Sequence, residues 1–220
     1  MKNFIIQNQN NKREYSVGNI QIFLIEKSNI NFSEVVEKLK LFPKPLLELI
    51  DNIYVGYFPD LEKKAVNAAY LEGSIYLLPD HGSVEDATDD IMHELGHAYE
   101  ESNKDFIYGD QDIAYEFLAK RRHLKSILAS QGFDVDNHDF EDVNYSFDMD
   151  QLYFVNIGYP LLQALTTNLF LNPYSVTSLR EYFASAFEYY FLYKNRKDIK
   201  ELCPATYRKL EEIEESFYGY

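Results

Sequence analysis

VEDATDDIMHELGHAYEE, residues 84–101, is the stretch from which the fold can be read. At about 100° per residue, Val84, Ala87, Ile91, Leu95 and Ala98 form one narrow apolar stripe, so the period predicts a helix over 83–101. His93 and His97 lie one turn apart on nearly the opposite side. A helix packed by its stripe would present both imidazoles together, as two ligands of one metal ion must be presented. Glu94 falls between the stripe and the imidazoles, where its carboxylate could serve a water at that metal without ligating it. Together His93-Glu94-Leu95-Gly96-His97 make an HExxH pattern, which chance supplies in about one chain in a hundred of this composition. The bland alternative has two solvated histidines and a surface glutamate.

Zinc is the ion that suits this donor set, and a hydrolytic zinc needs a third protein ligand plus an open position. The extended pattern with a third histidine six residues on fails, because position 100 is Glu and position 103 is Asn. His81 lies in a Pro-Asp-His-Gly turn, His123 in the basic run KRRHLK, and His138 in an acidic stretch. All three read better as surface residues. Glu181 is the stronger candidate, in SLREYFASAFEYYF (178–191). Leu179, Tyr182, Phe183, Ala186, Phe187 and Tyr190 stripe that helix and leave Glu181 and Glu188 on a face of their own. Ser178-x-x-Glu181 also satisfies a capping box, so the residues alone leave Glu181 as ligand or as cap.

HELGHAYE together with PYSVTSLREYFASAFEYYF resembles the zinc peptidase family of anthrax lethal factor and the secreted Pro-Pro endopeptidases, which are HExxH-plus-Glu (gluzincin) enzymes. The resemblance implies an α+β, zincin-like domain with a small N-terminal mixed sheet and a helical C-terminal half carrying the zinc site. It implies zinc held by His93, His97 and Glu181, the last opening an E-Y-F-A-x-A-F segment. It also implies that Tyr174, seven residues before Glu181, assists the transition state. Cys203, Pro204 and Tyr207 look like the family's closing helix. The implied activity is peptide-bond hydrolysis by a zinc-bound water with Glu94 as general base; the alternative is a non-catalytic binding or structural module that retains the fold. Here His97 and Glu181 are 84 residues apart, so 103–173 reads as an insertion, and Ser185 stands where the family often has an acidic residue.

Outward from these motifs, residues 1–80 read as strand-rich: 4–7, 15–26, Ile53–Phe58 and a hairpin over Ala68–Leu78 turning at Glu72-Gly73-Ser74, with short helices after Ser33 and over Pro45–Asp51. Strand Ser74–Leu78 is expected at the sheet edge, open to an extended peptide. Helices are expected at about 111–130, about 160–171, 178–194 and 204–217, with 174–217 forming the third-ligand and closing part. Without repeat or linker, 1–220 reads as a single domain. Residues 131–150 gather seven acidic residues and no Lys or Arg, as a solvated loop would, while Lys120, Arg121, Arg122 and Lys125 read as a solvated helix face that could pair with that loop.

Composition bounds the partners. Lys and Arg number 21 against 36 Asp and Glu, a formal net charge of −15, which disfavours nucleic acid and anionic membrane and leaves a peptide or protein as substrate. One cysteine, Cys203, permits no intrachain disulfide. The N-terminal apolar run Phe4–Ile6 is too short for a signal peptide and no run could span a membrane, so the expected location is the cytoplasm, or delivery by a route without a cleaved signal.

Overall fold

A computed structural model of the protein describes residues 13–193 and 196–219; the strand expected at 4–7 lies outside them. The architecture is α+β, with a small mixed sheet in the N-terminal part followed by helices. The chain packs as two compact units, residues 1–102 and 103–220. Their boundary falls within the motif helix, at Asn103, whose φ of −131° and ψ of 25° are not helical.

The first unit contains strands β1 (Arg13–Val17), β2 (Ile20–Leu24), β3 (Asn52–Val55), β4 (Ala68–Leu71) and β5 (Ser74–Leu77), in the order β1-β2-β3-β5-β4. The two inner pairings, β2 with β3 and β3 with β5, are parallel, and the two outer ones antiparallel. Register explains the core. Ile22, Ile53 and Ile75 stand in one row and Leu24, Val55 and Leu77 in the next on the same face, all buried. On the opposite face Phe23, Tyr54 and Tyr76 stack with ring centroids 5.3 and 5.4 Å apart, and Phe58 meets Tyr76 edge-on. Each such aromatic pair adds about 0.5–1.5 kcal/mol beyond area burial.

The β4–β5 hairpin turns where expected. Glu72 and Gly73 take φ of 48° and 75°, the two left-handed residues that match the twist of the flanking strands. The expected edge is wrong, however: β5 lies between β3 and β4, and β4 is the edge strand. All four β5 residues are buried, as a strand covered on both faces and paired on both sides requires. Helix α1 (Phe32–Leu39) is capped by Asn31, which accepts from Ser33 N–H, so Ser33 sits inside the first turn and is not the cap. Helix α2 (Lys44–Leu47) is shorter than expected, and α3 (Pro59–Lys64) was not legible. The long motif helix α4 (Val84–Tyr108) ends the unit and runs past its boundary at Asn103.

The second unit is helical: α5 (Asp112–Ser130), α6 (Phe147–Asp150), a π-helical stretch (Gln151–Gly158), α7 (Tyr159–Thr166), a 3₁₀ turn (Tyr174–Val176), α8 (Leu179–Glu188), further π turns (Tyr189–Tyr193), α9 (Arg196–Leu202) and α10 (Pro204–Tyr218). The basic cluster on α5 is not a solvated face. Arg121 is fully buried and donates to the backbone carbonyls of Asp142 and Asp139, while Lys120 donates to those of Leu169 and Leu202. Arg122 pairs two-pronged with Glu141 at 2.6 and 2.8 Å, the pairing with the acidic loop that the charge pattern suggests. No helix among the described residues is long and apolar enough to cross a membrane.

Candidate metal centre

The stripe of α4 forms as its period demands, with Ala87, Ile91, Leu95 and Ala98 all buried. Ser83 accepts from Asp86 N–H at 3.0 Å and starts the helix. One turn apart, His93 and His97 meet with ring centroids 4.9 Å apart and planes at 84°. Ligand atoms of His93, Glu94 and His97 all lie within 4.8 Å of one another. A tetrahedral zinc with bonds of roughly 2.0–2.1 Å keeps two ligand nitrogens about 3.3 Å apart, which small side-chain rotations reach from this arrangement. The donor set therefore fits a divalent ion of this kind.

The bland reading of solvated residues does not hold. Glu94 is only 8% exposed and His97 6%, with His93 half-buried. Glu94 Oε2 accepts from the backbone N–H of Tyr70 in β4 at 2.6 Å, so the edge strand fixes the carboxylate. His97 Nδ1 lies 3.7 Å from the buried Glu100 carboxylate, one turn on. That separation exceeds a hydrogen bond. The sequence gives Glu100 no role beyond breaking the extended motif; its i+3 spacing from His97 is the signal that places it near the imidazole.

The other histidines stay apart from this group among the described residues. His81 is buried, not a surface residue: Asn29 brackets its backbone, donating to its carbonyl at 2.9 Å and accepting from its N–H at 3.0 Å, and its Nε2 lies 3.2 Å from Asp90. His123 is exposed, and His138 pairs with Asp148 at 2.6 Å on the acidic loop.

In the second unit, Glu181 stands in the first turn of α8, and its N–H donates to Ser178 Oγ at 3.2 Å. That half of the capping box uses the backbone and leaves both readings of the carboxylate open. Tyr174 stands on the 3₁₀ turn, 37% exposed, with Phe154 beside it at 6.4 Å. Ser185 is fully buried and accepts from Asn172 Nδ2 at 3.1 Å. Burial pushes the Cys203 thiol up to about 11, which removes it as a nucleophile.

No protein family, curated protein or solved structure matches this chain.

Proposed function

We propose that this protein is a zinc-dependent metalloendopeptidase, with His93, His97 and Glu181 as ligands, Glu94 as general base and Tyr174 as oxyanion donor. The observation that carries the reading is the group on α4: two imidazoles edge to face and one carboxylate held from behind by a backbone amide, all within 4.8 Å. Bound there, zinc would supply Lewis acidity toward a water and a peptide carbonyl. Glu94 takes the proton of the attacking water on Oε1 and passes it to the leaving amine, while the Tyr70 N–H on Oε2 keeps the carboxylate from turning away. The role of Glu181 rests on the sequence of 181–187, and that of Tyr174 on its spacing from Glu181. A peptide substrate would lie near the β4 edge, where the Tyr70–Glu94 bond places the base.

The same hydrogen bond favours one competitor, a non-catalytic module in which Glu94 merely ties α4 to β4. Glu94→Gln separates the two, because a glutamine oxygen still accepts from Tyr70 N–H but takes no proton. We expect protein purified without chelator to carry close to one zinc per chain, His97→Ala to lose most of it, and Glu94→Gln to keep it. Cleavage of a peptide library should fall by two to four orders of magnitude, roughly, in Glu94→Gln. Equal cleavage by that variant, or negligible zinc in wild type, would overturn the reading.

A further inference from the structure

The turn that carries Tyr174 is shaped by the residue two positions earlier. Asn172 Oδ1 accepts from Ser175 N–H at 2.8 Å, and the Asn172 carbonyl accepts from the Ser175 hydroxyl at 2.6 Å. On the other side the Tyr174 carbonyl accepts from both the N–H and the hydroxyl of Thr177, at 3.1 and 2.8 Å. Ser175, Val176 and Thr177 are buried. Pro173, with φ of −64°, joins Asn172 to Tyr174 through a locked ring, so a shift of one is transmitted to the other.

An asparagine that used only Oδ1 would be an ordinary turn former. Asn172 uses the other end as well. Its Nδ2 donates to Ser185 Oγ, thirteen residues on, and Ser185 is fully buried on α8 one turn after Glu181. One amide thus links the turn that bears Tyr174 to the helix that bears Glu181. The Tyr174 ring is 37% exposed, and these bonds set the backbone from which it projects.

We propose that Asn172 is a positioning residue: by joining Ser175 to Ser185 it holds Tyr174 in register with α8, and it serves hydrolysis through Tyr174. This rests on the reading of Tyr174 given above. It accounts for a serine at 185, whose hydroxyl accepts from the amide.

The test uses full-length Asn172→Leu, Asn172→Asp, Tyr174→Phe and the double variant Asn172→Leu with Tyr174→Phe. The first readout needs no activity. Hydrogen exchange of the peptide spanning 172–178 should be about tenfold faster or more in Asn172→Leu, with α4 unchanged. Asn172→Asp should stay near wild type, since its carboxylate accepts from Ser175 N–H and from the Ser185 hydroxyl. Unchanged exchange in Asn172→Leu overturns the anchor.

The second readout is kinetic. Asn172→Leu should lower kcat about tenfold to a hundredfold with KM within twofold, Asn172→Asp should restore it, and Asn172→Leu should cost nothing further in the Tyr174→Phe background. A loss of equal size in both backgrounds overturns the proposal. Full activity of Tyr174→Phe beside an inactive Glu94→Gln sinks the proposal alone. Full activity of Glu94→Gln sinks the peptidase reading and the proposal with it.

Discussion

Glu181 occupies a helix position where two roles predict opposite outcomes for one substitution. As a cap its carboxylate accepts from a backbone N–H, and a capping box tolerates Gln as well as Glu, so Glu181→Gln should be silent. As a ligand it contributes an anionic oxygen that a neutral amide does not replace. We expect Glu181→Gln to lose zinc or activity with little change in circular dichroism, and Glu188→Gln, on the same face two turns on, to be milder. The reverse pattern would show that the third ligand has been misassigned. That His93, Glu94 and His97 cluster was legible because the clustering is local: five residues and a helical period suffice. His81 was misread because its burial depends on Asn29, 52 residues away.

Pairing partners obey the same division between local and distant. The Glu72-Gly73 turn announces a hairpin without saying which of its two strands meets β3; the apolar run Ile75-Tyr76-Leu77 is the one clue that β5 lies inside. The run KRRHLK looks solvated because its partners are carbonyls of a loop that arrives later in the chain. Glu116 on α5 is a further case. Its carboxylate accepts from Tyr182 OH at 3.0 Å, from Ala205 N–H at 2.6 Å and from the Thr206 hydroxyl at 2.8 Å, capping α10 from another helix. Burial and that carboxylate hold the Tyr182 phenol well above its usual range. Glu116→Ala should cost roughly 2–4 kcal/mol, read as a lower urea midpoint with unchanged slope, because it strands buried donors at a helix start. Lys197→Ala, removing an exposed pair with Glu201 at 4.0 Å, should shift the midpoint little.

Across the whole molecule the dominant quantity is negative charge, and part of it is committed to structure. Arg122 beside Glu141, and the Asn144 backbone N–H on Asp142, hold those carboxyls below their ordinary values; the Asp112 N–H and Lys209 do the same for Asp110. Groups with depressed folded values stabilise the fold fully above the unfolded carboxylate range of about 4, and the contribution disappears as pH falls through the folded values. Asp150, raised by burial, opposes this in part. The urea midpoint should therefore be flat from about pH 5 to 7 and fall below about pH 4, and the fall should be shallower in Arg122→Ala, whose loss is already present at neutral pH. A midpoint independent of pH down to 3 would contradict the assignment.

The acidic loop has one more consequence, for how the chain can change. Asp139 Oδ1 accepts from Glu141 N–H and Asp142 Oδ1 from Asn144 N–H, and the amide oxygen of an asparagine accepts such bonds equally well. Arg121 meanwhile grips this loop by its carbonyls, and its charge also favours the ionised carboxyls of Asp142 and Glu141. Two Asp→Asn changes would move the formal charge from −15 to −15 + 2 = −13 and keep each turn's hydrogen bond, while losing what the Asp142 charge contributes to stability. Shape and charge are thus inherited separately in this segment: its contour can persist through drift while its electrophoretic character wanders.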